Sequence, residues 1–268
     1  MAQREDSGHP PGWIPVDLER LTVDWWAATL SAAGVEATPS AVDVEPLGPG
    51  AGFLGDVSRL RLRYGTGTAT GPASLIAKQP PSDPSARAVG AMLRVWEREH
   101  AFYTEIAPAS LGAQVPMCVR SLADAGADSG EGRWLLLLED CPSVPLDAGV
   151  GATREQAEAA VDALAAFHAH WWQSEQRYRW MPGFDGPGVG GLQGAWIGAI
   201  PVFLERYGHL LPAETDRWLS AFASRLPDWS ERAGAEPLTI VHADYRLDNL
   251  RFHDGRMTII DWQTALRG

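Results

Sequence analysis

Cysteine is nearly absent, with only Cys118 and Cys141, 2 in 268 residues. A single potential pair builds no disulfide framework, so the expected setting is a reducing cytoplasm. Long apolar stretches are missing as well. Runs such as Trp134 to Leu138 are far too short for a bilayer span. The opening Met1-Ala2-Gln3-Arg4-Glu5-Asp6 has no apolar region of a signal peptide. No membrane association is expected. Positive charge is scarce: 22 Lys and Arg stand against 34 Asp and Glu, for a net charge of −12. That balance argues against a reader of nucleic-acid backbones, which needs a basic surface. Internal repeats are lacking, and low complexity is confined to the 122–132 segment.

The 45% hydrophobic content of the 268 residues is enough for a sizeable core, as one large domain or two modest lobes. Met1 to Pro15 reads as a loose tail. Asp17 is placed to cap a helix to about Ala33, with Leu18, Leu21, Trp25 and Leu30 along one side. Strand-like runs follow at Val42 to Leu47, Phe53 to Tyr64 and Ala73 to Lys78. In the second, Leu60, Leu62 and Tyr64 alternate with Arg59, Arg61 and Arg63, which buries one face and wets the other. A long helix is expected over Ser85 to Ile106, then strands at Val115 to Leu122 and Trp134 to Glu139. After Pro142 the pattern turns helical. Thr153 and Gln156 form a capping box, and Val161, Leu164, His168 and Trp171 recur at helical spacing. Further helices are expected near Trp196 to Tyr207 and Glu214 to Arg232, and a short strand at Leu238 to Val241. The expected class is α+β. The expected division is a tail and helix over 1–34, a β-rich N-lobe over 35–140 and a mainly helical C-lobe over 141–268. A hinge near Glu139 to Pro145 would leave a cleft between the lobes.

The richest chemistry lies near the end. His242-Ala243-Asp244-Tyr245-Arg246-Leu247-Asp248-Asn249 precedes two apolar runs, 250–252 and 257–260, and then Asp261. Asp254-Gly255 between the runs is a two-residue hairpin signal. Counting outward from that turn, 253 faces 256, 252 faces 257, 250 faces 259 and 249 faces 260. Asn249 and Asp261 therefore leave the same end of one hairpin, on strands about 4.8 Å apart. Two oxygen-bearing side chains so placed suit a hard cation such as Mg²⁺, with substrate phosphates completing the shell. Asp244, on the connecting loop, is placed to accept a proton from an attacking hydroxyl. Each of these residues alone reads equally well as a turn or strand-end group; together they form the layout H-x-D-x-x-x-x-N, hairpin, Asp of kinase-like enzymes.

This stretch resembles the aminoglycoside phosphotransferase and choline kinase superfamily. "HADYRLDNLRF" is similar to the kinase-like domains associated with acyl-CoA dehydrogenases, and "IIDWQ" and "GAGFLGDVSRLRLRY" to the ecdysteroid-kinase-like group. The resemblance covers roughly 35 to 268. It implies a two-lobed protein-kinase-like fold, ATP and Mg²⁺ as cofactors, Asp244 as catalytic base, and Asn249 and Asp261 as metal ligands. Arg246 either touches the transferred phosphoryl or is a solvated loop residue. One departure is Ala243, where the family usually has Gly.

The front half carries matching parts. Phosphoryl transfer uses a strand Lys held by a helix Glu. Lys78 ends the third strand. Glu99 falls on the apolar face of the next helix, among Val89, Met92, Trp96, Tyr103 and Ile106, where a carboxylate needs a partner. The resemblance pairs Lys78 with Glu99; Glu97 is the alternative. Gly50, Gly52 and Gly55 lie where backbone can approach phosphates without a Cβ. Glu139 and Asp140 match the hinge where backbone groups meet adenine, with no role expected of their side chains.

Other features read blandly. His168, on the apolar face of its helix, reads as a core histidine or one that supports a site from behind, and His168 and His170, two apart, are a poor metal pair. Most tryptophans read as core, with Trp171, Trp172, Trp180 and Trp196 as candidates to line an apolar acceptor pocket. The expected activity is transfer of the γ-phosphoryl of ATP to a hydroxyl of a small molecule. An apolar alcohol or hydroxyacyl compound is preferred over an aminoglycoside. The alternative is a nucleotide-binding module without turnover. A homodimer is a further expectation. Similar enzymes continue with several helices beyond the metal-binding Asp, so the resemblance implies a C-terminally shortened domain.

Overall fold

A computed structural model describes residues 13–48, 54–65, 71–109, 115–124, 132–141, 150–174, 178–184, 187–235, 237–253 and 256–268. The expected Gly50, Gly52 and the Asp254-Gly255 turn lie outside these residues.

By internal contacts the chain separates into two units. The first joins Met1–Ala163 with Asp244–Thr264, and the second joins Leu164–Ala243 with Ala265–Gly268. The sequence places the lobe boundary at 140, after a first division at 34; in the structure the segment Asp244–Thr264 groups with the sheet.

The first unit is built on an antiparallel sheet of β1 (Pro39–Pro46), β2 (Asp56–Tyr64), β3 (Ser74–Gln79), β4 (Cys118–Ala123) and β5 (Trp134–Glu139), in the order β1-β2-β3-β5-β4. The alternation read in β2 is realised. Leu60 and Leu62 are buried, and Arg61 and Arg63 pair with Glu45 and Asp43 on β1 at 2.8 and 2.7 Å. Leu60, Leu62, Leu75, Ala77, Leu135 and Leu137 pack one face of the sheet against Trp26 and Leu30 of α1 (Val23–Ala32). Side chains alternate along a strand, so Lys78, next to Ala77, emerges on the opposite face.

Two helical expectations differ from the structure. Asp17 caps only a short turn, Leu18–Arg20, and α1 starts afresh behind Thr22, whose Oγ1 accepts from Trp25 N at 3.2 Å. Leu21 is extended, and a Ser or Thr side chain that satisfies an orphan N–H fixes the start of the helix behind it. The long helix is broken into α2 (Pro84–Met92) and α3 (Val95–Ala101), with Arg94 between them at φ +53. The break folds Trp96 onto Gly90, where an added Cβ would meet the indole at 2.6 Å. The proposed apolar face therefore does not run through: Trp96, Tyr103 and Ile106 are buried, while Met92 is 73% exposed. A π turn over Phe102–Ile106 continues α3.

In α4 (Arg154–Trp171) the capping box is reciprocal: Gln156 N donates to Thr153 Oγ1 at 3.2 Å, and Thr153 N to Gln156 Oε1 at 2.9 Å. Its inward positions are Ala160, Phe167 and Trp171; Val161 is exposed. In the second unit α5 (Pro187–Tyr207) packs on α6 (Thr215–Ala233), and β6 (Ile240–Val241) pairs with β9 (Leu266–Arg267). Between those two short strands the chain runs through β7 (Leu250–His253) and β8 (Arg256–Ile259), which belong to the first unit. The expected α+β class is what the structure shows.

Candidate active site

β7 and β8 pair as Leu250↔Ile259, Arg251↔Thr258, Phe252↔Met257 and His253↔Arg256, the register counted from the sequence. Ile260 N donates to Asn249 O at 2.9 Å, so Asn249 and Asp261 do share one end of the hairpin. Local sequence suffices here, because two short apolar runs separated by two residues have one register that buries Leu250 and Ile259.

Asn249 is 4% exposed. Its Nδ2 donates to Asp244 O at 2.8 Å and to Asp244 Oδ2 at 2.9 Å. The amide nitrogen thus braces the loop, and the amide oxygen is turned the other way. Arg246 lies against the same carboxylate, Nε to Asp244 Oδ2 at 3.2 Å, and its Nη1 reaches Asp248 Oδ2 at 2.6 Å. Both Arg246 and Asp248 are exposed. Tyr245 fixes the loop from behind: its hydroxyl donates to Ala160 O at 2.6 Å, and burial pushes it up to about 12. Ala243, just before Asp244, has φ +62, the backbone region that glycine adopts without strain.

Lys78 joins the sheet to the hairpin. Its Nζ lies 2.6 Å from Glu99 Oε1 and 2.7 Å from Asp261 Oδ1. The helix carboxylate beside Lys78 is Glu99; Glu97 instead pairs with Arg94. Burial pulls the Lys78 ammonium down, but the two carboxylates outweigh it and hold it above its ordinary value. Two carboxylates share this one ammonium. Burial, with Asp261 adding to it, pushes Glu99 up to about 7, against the pull of Lys78. Asp261 sits at φ +66, and its Oδ2 accepts from Gln263 Nε2 at 3.2 Å.

The donor set fits a hard cation. An amide oxygen and a carboxylate at one hairpin end are the oxygen ligands Mg²⁺ takes, and it is usually held by one or two protein groups plus phosphates. No group of three His, Cys, Asp or Glu suited to a metal occurs among the described residues.

The remaining predicted residues fall elsewhere. Gly55 has a packing reason to be glycine: an added Cβ would meet Gln79 O at 3.2 Å and the Trp134 ring at 3.5 Å. Glu139 ends β5 with its N–H and one carboxylate oxygen directed to Met117, N to Met117 O at 2.9 Å and Oε2 from Met117 N at 3.1 Å. Asp140, to whose side chain the sequence reading gave no role, accepts from Arg59 Nε at 2.7 Å and Ser74 Oγ at 2.6 Å. Burial opposes its charge, but these bonds hold it below its ordinary value. The signal was Arg59 on the wet side of β2, whose partner lies 81 residues away in sequence. Of the four tryptophans named for an acceptor pocket, Trp171 is fully buried and meets Tyr178 edge-on, so it belongs to the core.

Residues 51–268 match the model of the phosphotransferase enzyme family. No match is found among curated proteins. Similar solved structures include the gentamicin complex of APH(2")-IIa, at 14% identity and TM-score 0.46, covering 96% of this chain and 73% of that one. Another is the GDP complex of aminoglycoside 2'-phosphotransferase-IIIa, at 12% identity and TM-score 0.48, covering 92% and 74%. A third is ADP-bound APH(2'')-Ib, at 14% and 0.43, covering 84% and 67%. With the family match spanning most of its length, the chain belongs to the phosphotransferase enzyme family.

Proposed function

We propose that this chain transfers the γ-phosphoryl of ATP to the hydroxyl of a small molecule. The observation that carries the reading is the Lys78 ammonium held between Glu99 and Asp261, with Asp261 at the hairpin end shared by Asn249, itself bonded to Asp244.

In this reading Lys78 meets the ATP phosphates, and Glu99 keeps its ammonium aimed. Asn249 Oδ1 and the Asp261 carboxylate hold Mg²⁺, which neutralises phosphate charge when bound. Asp244 accepts the hydroxyl proton as the acceptor oxygen bonds to the γ-phosphorus; the bond from that phosphorus to the bridging oxygen breaks, and ADP leaves with the electron pair. Arg246, beside Asp244, meets the phosphoryl oxygens as they pass. Of the glycine stretch, Gly55 would approach the phosphates through its backbone, and Gly50 and Gly52, outside the described residues, are assigned the same role. The base meets the segment at Glu139 through its carbonyl, because its N–H already donates to Met117 O. The acceptor is an apolar alcohol or hydroxyacyl compound rather than an aminoglycoside. What supports this is the tryptophan content of the helical half of the chain.

The second reading is a nucleotide-binding module without turnover. The direct Lys78–Asp261 contact favours it, since it engages the carboxylate intended for metal. ATP consumption over a library of hydroxylated compounds separates the two. Turnover that disappears in Asp244→Asn supports the first; ATP binding without turnover on any acceptor supports the second.

A further inference from the structure

Helix α3 grips the chain around Asp261 at two levels. Through side chains, Glu99 holds Lys78 and Lys78 holds Asp261 Oδ1. Through the main chain, the preceding residue does the work. Arg98 Nη1 donates to Thr264 O at 3.3 Å, and Arg98 Nη2 donates to Leu93 O at 2.7 Å, where α2 ends. One turn on, the Phe102 ring stacks on Trp262 at 4.1 Å and 9°. Trp262 in turn donates from Nε1 to Ile259 O at 3.0 Å. Asp261 is thus caught between β8 on one side and a turn, Trp262–Thr264, docked on α3 on the other.

Asp261 needs such a hold. A non-glycine residue at φ +66 keeps that backbone only when its surroundings impose it. A guanidinium is suited to the task because its donors diverge in one plane and can reach two carbonyls at once, which a single ammonium does less well. We propose that Arg98 is a positioning residue for Asp261: by pinning the 262–264 turn to α3 it keeps the Asp261 carboxylate at the cation end of the hairpin. In this role Arg98 acts through Thr264 O and Leu93 O and needs no contact with nucleotide or metal. The inference rests on the reading of Asp261 as a metal ligand.

The test is equilibrium binding of ATP to the full chain, with and without Mg²⁺, in wild type, Arg98→Met, Arg98→Lys and Asp261→Ala. Loss of an outer partner of a metal ligand weakens metal binding by about 10–100-fold. Arg98→Met should therefore raise the Mg²⁺ concentration needed to tighten ATP by about tenfold, and change metal-free ATP affinity by less than about twofold. Arg98→Lys, able to reach one carbonyl, should fall between. An unchanged Mg²⁺ requirement overturns the inference. So does a parallel fall in both affinities, which is what a merely structural role gives. Where Arg98→Met does not fold, Trp262→Phe, which keeps a stacking ring and loses the bond to Ile259 O, is read by the same two criteria. If Asp261→Ala retains full tightening by Mg²⁺, the metal reading itself falls and takes this inference with it; if Asp261→Ala loses it and Arg98→Met does not, only this inference falls.

Discussion

Asp244 is held at one carboxylate oxygen, Oδ2, which accepts from Asn249 Nδ2 at 2.9 Å and from Arg246 Nε at 3.2 Å. A group held so firmly can be neutralised without rebuilding the loop. Asp244→Asn should cut turnover by about 10²–10⁴-fold, the usual worth of a general base, and leave ATP affinity nearly unchanged. Steady-state rates beside ATP binding check this, and full activity in the variant removes Asp244 from the role. The neighbouring Ala243 carries a cost that its small size conceals. At φ +62 its Cβ crowds the backbone, so Ala243→Gly should stabilise the fold by about 1 kcal/mol, read as a higher denaturant midpoint. Glu99 sets a pH dependence. Its carboxyl moves from 4.5 to about 7 on folding, so the folded chain binds the proton more tightly. That contribution is fully present below the unfolded value and is lost as pH rises through about 7. Thermal melts across this range should show Glu99→Gln with a flatter profile than wild type. Asp140 has the opposite sign: held below its ordinary value, it stabilises above that value and the effect is lost as pH falls through its folded one.

At the scale of elements, the break between α2 and α3 carries the arrangement. A continuous helix over 84–106 would hold Gly90 and Trp96 to helical geometry; the turn at Arg94 lets the Trp96 ring lie against Gly90 instead. Trp96 Nε1 then donates to Leu54 O at 2.8 Å, and its ring stacks on Trp134 at 5.7 Å. Gly90→Ala would drive a methyl into a ring that is 2% exposed and has no room to yield. It should cost about 1–3 kcal/mol, measured by denaturant unfolding. The same helix presents Glu99 to Lys78. Single mutants at these two positions and the double mutant, assayed for ATP affinity, should show a coupling of about 0.5–3 kcal/mol, as contacting residues do. Additive effects would contradict the contact.

At the scale of the whole molecule, Gly55, Lys78, Glu99, Glu139, Asp244, Arg246, Asn249 and Asp261 all fall in the first unit, and the second begins within α4 at Leu164. Binding to the native state alone shifts stability by mass action, about 2.7 kcal/mol at a ligand concentration 100 times its dissociation constant. ATP with Mg²⁺ should therefore raise the melting temperature more than ATP alone, and Asp261→Ala should erase the difference. An equal shift with and without metal in wild type would argue against the Asn249–Asp261 assignment.

What the sequence determined by itself was local. The β7–β8 register, the capping box at Thr153 and Gln156, the alternation in β2 and the H-x-D-x-x-x-x-N spacing each depend on neighbours a few residues apart, and each side chain has one face to turn to. Glu99 was legible too, because a carboxylate on an apolar helix face demands a cation and Lys78 ends the adjacent strand. The tertiary structure decided the contacts that join distant segments. Lys78 reaches Asp261 across 183 residues, Arg98 reaches Thr264 across 166, and Arg59 reaches Asp140 across 81. It also decided the positive φ of Arg94, Ala243 and Asp261, which packing around each residue imposes against its own preference. Periodicity reports which face of an element is buried; it carries no information about which other element buries it, nor about where packing makes a helix break.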